Sequence, residues 1–163
     1  MTVLGWVTSR EGCPLGPKIG IRASYFVTFI DDATRHVWVY AMKSKDETFS
    51  CFKKFLSSVQ TQFEHKLKAL RSDNGGEYVS KEFTDFCSSR EIKSESTAPY
   101  TSAQNGVVER MNRTIQERIM SMLSQANLPQ AFWAKALYTV VYLINRSPHA
   151  SLQLRVIRTQ IVL

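Results

Sequence analysis

The chain has 163 residues, 44% of them hydrophobic and 21% charged, with a net charge of +7 and a sequence pI near 9.5. That length suits one domain with its own core, and the basic excess favours a polyanionic partner over an acidic surface role. No apolar run approaches the ~20 residues of a bilayer-spanning helix, so no membrane association is expected. The opening Met1-Thr2-Val3-Leu4-Gly5-Trp6 lacks a basic flank before an apolar core, so the expectation is an intracellular protein, nuclear or cytoplasmic. Cys13, Cys51 and Cys87 are odd in number and widely spaced, and His36, His65 and His149 stand apart from them. Neither a disulfide framework nor a zinc knuckle is indicated.

In chain order, residues 1–24 are poorly patterned, punctuated by Gly5, Gly12, Pro14, Gly16, Pro17 and Gly20, with a short strand expected only at 3–7. Residues 25–30 and 37–42 are β-rich runs joined by a hairpin at 31–35, where Asp31 and Asp32 are turn residues. Ser44-Lys45-Asp46-Glu47 predicts a capping box, and Phe49, Phe52, Leu56, Val59 and Phe63 follow at helical spacing, a stripe that covers the sheet. A short strand at 67–70 runs into the Asn74-Gly75 turn. Ser80 caps a helix over 81–88 that buries Phe83, Phe86 and Cys87, and 92–94 adds an edge strand. Residues 96–104 predict a loop able to fold over substrate.

The next helix is expected over 106–126. Met111, Ile115, Ile119, Met122, Leu123 and Ala126 form one face, and Glu109, Asn112, Arg113 and Gln116 another. Asn127-Leu128-Pro129 breaks it, and a helix over 129–145 starts with proline at its first position. That last helix is apolar on nearly every side, which predicts deep burial or a homodimer interface. This alternation of strands and helices indicates an α/β fold on a mixed sheet.

Two acids carry the chemistry. Asp73 stands at the end of the 67–70 strand and Glu109 one turn into a helix. Alone, Asp73 is an ordinary turn residue and Glu109 an ordinary solvated first-turn glutamate. Brought together, two hard oxygen donors on rigid elements can hold Mg²⁺. Lys66, Lys68 and Arg71 lead up to Asp73, while Asn105, Gly106, Arg110 and Arg113 flank Glu109. Basic groups so placed suit phosphate contacts. After Glu117 there is no acidic residue, but there are Arg118, Lys135, Arg146, Arg155 and Arg158.

Four stretches together resemble a known family: Tyr25-Phe26-Val27-Thr28-Phe29-Ile30-Asp31-Asp32, Arg71-Ser72-Asp73-Asn74-Gly75-Gly76-Glu77-Tyr78, Tyr100 through Arg113, and Asn145-Arg146-Ser147-Pro148. Residues 25–148 resemble the catalytic core of copia-type retrotransposon integrases. The resemblance implies a ribonuclease-H-like three-layer fold with a mixed central sheet and helices on both faces. It also implies a polynucleotidyl transferase acting on DNA within a Pol polyprotein, with an Asp, Asp, Glu triad that binds Mg²⁺ or Mn²⁺. Asp73 would be the second acid and Glu109 the third, at the family's own spacing.

The chain departs from that pattern in two places. The family's first Asp lies three residues before a Gly-Pro pair; here the pair is Gly16-Pro17 and the position is Cys13, with Glu11 the nearest acid. Residues 149–163 diverge as a tail. The expectation is an integrase core, 25–148, behind a weakly patterned segment, 1–24, with impaired strand transfer. The alternative is a non-catalytic nucleic-acid-binding or self-associating module.

Overall fold

The computed structural model describes residues 1–9, 23–63, 66–72, 76–96 and 102–147. Among the described residues the strands are β1 (Thr2–Ser9), β2 (Tyr25–Asp31), β3 (Val37–Met42), β4 (Ala69–Ser72) and β5 (Lys93–Ser96). The α-helices are α1 (Thr48–Phe63), α2 (Gly76–Val79), α3 (Lys81–Ser89), α4 (Ser102–Gln125) and α5 (Trp133–Arg146). The strands form one sheet in the order β3-β2-β1-β4-β5. β1 pairs antiparallel with β2, and β2 with β3, while β1, β4 and β5 run parallel.

The strand with the weakest sequence pattern is thus the middle of the sheet. Its signal is faint because a glycine interrupts it, and the glycine is there for packing. A Cβ at Gly5 would lie 3.3 Å from Leu70 Cδ1, 3.3 Å from the Tyr78 hydroxyl oxygen and 3.4 Å from Phe29 Cδ1, tight enough to force the neighbours apart.

Alternation along the strands divides the core in two. Val3, Val27, Phe29, Met42 and Leu70 face α1 and α3, where Phe52, Phe55, Leu56, Val59, Phe83 and Cys87 are buried. Leu4, Phe26, Ile30, Val37 and Val39 face α4 and α5, against Val108, Ile115, Ile119, Leu123, Leu137 and Val140. The three layers match the expected ribonuclease-H-like α/β architecture. Each large side chain taken out of water contributes about 1.5–3 kcal/mol. Phe55, absent from the expected stripe, stacks on Phe29 with ring centres 4.6 Å apart.

Local signals set most helix ends. Ser44 accepts from the Asp46 amide at 3.2 Å, but Glu47 reaches back to the Lys43 amide at 3.3 Å, one residue beyond a regular capping box. A 3-10 turn, Lys45–Glu47, therefore precedes α1. Ser80 caps α3 through the Phe83 amide at 3.3 Å, and of its expected core residues Phe83 and Cys87 are buried. α4 ends with Asn127 at φ 49°. There the Leu128 amide donates to the Leu123 carbonyl at 2.9 Å and the Asn127 amide to that of Ser124 at 3.1 Å, the paired closure that favours a left-handed residue.

Several boundaries move. β4 lies two residues later than expected and runs to the residue before Asp73. α2 is an extra turn of helix, Gly76–Val79, that the sequence reading did not expect. α4 begins at Ser102, so the end of the expected loop is helical, while residues 97–101 lie outside the described residues. Pro129 caps a 3-10 turn, Gln130–Phe132, rather than opening α5. α5 buries Trp133, Ala134, Ala136, Leu137, Val140, Val141 and Ile144. Tyr138, Tyr142 and Leu143 remain exposed, so the helix is amphipathic rather than apolar all round. No described helix is long and apolar enough to cross a membrane.

Candidate metal and nucleic-acid site

The site is built where the central parallel pair of strands meets α4. β1 and β4 pair from Thr2 with Ala69 to Gly5 with Ser72, and Ser72 is buried. Asp73 is the next residue in the chain and lies outside the described residues, as do Glu11 and Cys13. Of Asn105 only the helical backbone is described.

Glu109 is exposed on α4, two turns in because the helix starts earlier than the sequence predicts. Asn112, expected on the same polar face, is instead buried at 5% exposure. Its Oδ1 accepts from the Thr28 hydroxyl at 3.0 Å, and its Nδ2 donates to Thr8 Oγ1 at 2.9 Å. The reason is angular. Three helical steps turn by about 300°, which leaves residue 112 offset by a sixth of a turn from residue 109 and over the sheet. Asn112 thereby anchors α4 to both β1 and β2, one turn beyond Glu109. Sequence reasoning missed this network; its one signal is an amide among apolar helix residues.

The flanking basic residues divide by surroundings. Arg110 and Arg113 are exposed beside Glu109. The Arg110 guanidinium folds over Gly106, where a Cβ would sit 3.2 Å from Nη1. Lys66 and Lys68 are exposed ahead of β4. Arg71 is engaged: its Nη2 and Nε donate to Glu95 Oε2 at 3.0 and 3.3 Å, and Lys93 Nζ lies 3.0 Å from Glu95 Oε1. Hydrogen bonds from Lys93 and Arg71 hold the Glu95 carboxyl below its ordinary pKa. Of the basic cluster ahead of Asp73, the two lysines therefore face solvent, where phosphate can reach them, and Arg71 is already paired.

Burial pushes the Cys51 thiol up and the Cys87 thiol to about 11, so both behave as small apolar core residues. Among the described residues no three His, Cys, Asp or Glu side chains converge to hold a metal.

Comparison with known proteins agrees with this architecture. The integrase core domain family matches residues 7–102. The chain is 57% identical over 128 residues to the retrovirus-related Pol polyprotein from transposon TNT 1-94 of Nicotiana tabacum, covering 78% of this chain and 10% of that protein. It is 39% identical over 131 residues to the Pol polyprotein from transposon RE2 of Arabidopsis thaliana, covering 80% and 9%. The chain thus spans about a tenth of the length of these curated relatives.

Among solved structures, a chain of the simian T-cell lymphotropic virus intasome in complex with PP2A regulatory subunit B56 gamma superposes with a TM-score of 0.68. It is 21% identical, over 90% of this chain and 49% of that one. The HTLV-2 integrase catalytic core domain in complex with magnesium gives 0.64 at 23% identity, over 90% and 86%. At such identities the likeness is one of fold. By its sequence match, and with a fold to suit, the chain belongs to the integrase core domain family.

Proposed function

We propose that this chain is a DNA-binding integrase core of a retrotransposon Pol polyprotein in which strand transfer is impaired. The supporting observation is Glu109, exposed between Arg110 and Arg113 on a helix that Asn112 ties to the central strand. An acid held on a rigid element with cations close by suits metal-assisted contact with a phosphodiester. Asp73, next in sequence after Ser72, is the second acid of the reading, with Lys66 and Lys68 as outlying phosphate contacts and Asn105 and Gly106 in the first turns of α4. The core is read as residues 25–148, joined in its sheet by β1 from the segment before it, and works in the nucleus or cytoplasm.

Mg²⁺ or Mn²⁺ fits these residues only in part. Asp73 and Glu109 supply hard oxygens, but a pair of ions needs a further shared carboxylate to fix their separation at about 3.5–4 Å. β1, the strand beside β4, has neither aspartate nor glutamate between Thr2 and Ser9. Groups that act as a unit are strongly non-additive, so loss of one removes most of the acceleration.

The test is twofold. Duplex DNA should bind with an affinity that falls steeply with salt, and Mg²⁺-dependent nicking should stay at background, as in Asp73→Asn. Salt-independent or absent binding counts against the DNA-binding reading. Clear nicking that disappears in Asp73→Asn counts against impairment. A second reading, self-association, draws on the exposed Tyr138, Tyr142 and Leu143 of α5. A concentration-dependent dimer in sedimentation, lost in Leu143→Lys, would favour it.

A further inference from the structure

We infer that the α1–α3 side of the sheet carries a second nucleic-acid surface, a cationic strip that takes a phosphate backbone away from Glu109. The inference rests on the DNA-binding half of the reading above and is independent of the metal pair. α1 has no acidic residue between Thr48 and Phe63. Its exposed residues Ser50, Lys53, Lys54, Ser57, Gln60 and Thr61 recur at helical spacing, so they make one outward face. Ammonium, hydroxyl and amide donors together suit phosphate oxygens. Gln60 then lines a groove of about 380 Å³ with Lys66, Ser89 and Arg90, above the buried Leu56 and Ile92.

Two aromatic contacts join this groove to the first turns of α1. Lys53 Nζ lies 4.2 Å from the centre of the Phe49 ring, and the Arg90 guanidinium carbon 5.3 Å from that of Phe86. The two rings meet edge to face at 5.4 Å. Both are half-buried against the core, so each holds its cation at the surface. Among the described residues Lys53, Lys66 and Arg90 form no ion pair, in contrast with Arg71. Against Lys53, Lys54, Lys66 and Arg90 stand two acids, Glu91 on the rim and Glu82 one turn before Phe86. Asp85 is exposed on the side of α3 opposite the buried Phe83 and Cys87. The excess of positive charge selects a polyanion.

The strip and Glu109 belong to helices on opposite faces of the sheet. Lys53 to Gln60 spans about 10 Å along α1, the reach of about three phosphates of one strand. The cations cover the rings, so the contact is with backbone rather than stacked bases and carries no sequence preference.

Titration of a fluorescent mixed-sequence duplex at several salt concentrations tests this with two paired variants. Lys53→Gln with Arg90→Gln removes two charges from the strip, and Arg110→Gln with Arg113→Gln removes two from α4. Each pair should lower the salt slope by about 2, and all four substitutions by twice that. The photo-cross-linker p-benzoylphenylalanine in place of the exposed Ser57 should capture DNA even when Arg110 and Arg113 are replaced. A strip pair that changes neither affinity nor slope, while the α4 pair lowers both, overturns the inference and leaves the DNA-binding reading standing. A slope that no variant changes, with no cross-link, overturns both. Poly-L-glutamate that displaces DNA at a lower concentration of charge overturns the choice of nucleic acid as the partner.

Lys53→Arg with Arg90→Lys keeps the charges and should keep the slope; a loss there would assign the effect to packing and overturn the inference. If removing the cation over Phe86 unfolds the protein, Lys54→Gln with Lys66→Gln, both at exposed positions, replaces that pair with the same expected change in slope.

Discussion

Asn145 pairs with Val37 as a further strand would. In the last turn of α5 its Oδ1 accepts from the Val37 amide at 2.9 Å, and its Nδ2 donates to the Val37 carbonyl at 2.7 Å. β3 is an edge of the sheet, and an open edge invites pairing with another chain. Four residues along, the Tyr138 hydroxyl accepts from the Ala41 amide at 3.2 Å. α5 therefore covers the edge by side chain as well as the face by packing.

Replacing Asn145 by Ala should leave both polar groups of Val37 without these partners and cost about 1–3 kcal/mol. Urea unfolding measures the loss. A second expected effect is faster aggregation at the exposed edge, followed by light scattering. A change in stability below about 0.5 kcal/mol, the low end for one hydrogen bond, would mean that water replaces the amide at no cost.

The same pairing carries a pH dependence. His36 Nε2 lies 3.3 Å from Asn145 Nδ2, so the neutral ring can accept there and the protonated ring cannot. Burial lowers the His36 pKa from 6.5; the nearby Asp31 opposes that shift and Arg146 adds to it. The folded state thus binds its proton less readily than the unfolded chain, so stability is complete above about pH 6.5 and is lost as pH falls toward the lowered value. His36→Gln should remove this part of the acid sensitivity. Unfolding free energies measured on either side of the ordinary histidine pKa compare the two proteins, and equal slopes would exclude His36 as the source.

Asn112 should couple measurably to Thr28. Asn112→Ala strips a partner from a threonine that is fully buried, at a cost of about 1–3 kcal/mol. Thr28→Val removes the other side of the bond in nearly the same shape, so the double variant should be less destabilised than the two single losses added together. Additive losses would show that the bond contributes nothing specific.

DNA binding should separate basic residues that are neighbours in the chain. Lys66→Ala and Lys68→Ala, both at exposed positions, should each weaken binding at low salt and lower the salt slope by about 1. Arg71→Ala should change the slope less, because its guanidinium is already paired with Glu95. Titrations at several salt concentrations decide this, and an Arg71 effect larger than that of either lysine would overturn the ordering.

By itself the sequence determined the features that act over a few residues. The Ser80 cap, the hairpin of Asp31 and Asp32, and the apolar stripe of α1 need only neighbours within a turn or two. The stretches around Asp73 and Glu109 were legible by resemblance, because a family keeps its residue types in order even where local patterning is weak.

What only the tertiary structure decided are relationships between distant segments. Thr2–Ser9 is a weak strand by composition, yet it is central because β2 and β4 both pair with it. Arg71 is a free cation in the sequence and a paired one in the fold, since β4 and β5 bring Glu95 beside it. Asn112 belongs to the core because β1 and β2 present Thr8 and Thr28 beneath it. Hydrogen-bonded pairing between strands depends on register rather than on distance along the chain, and local pattern does not specify register until both faces of the sheet are packed.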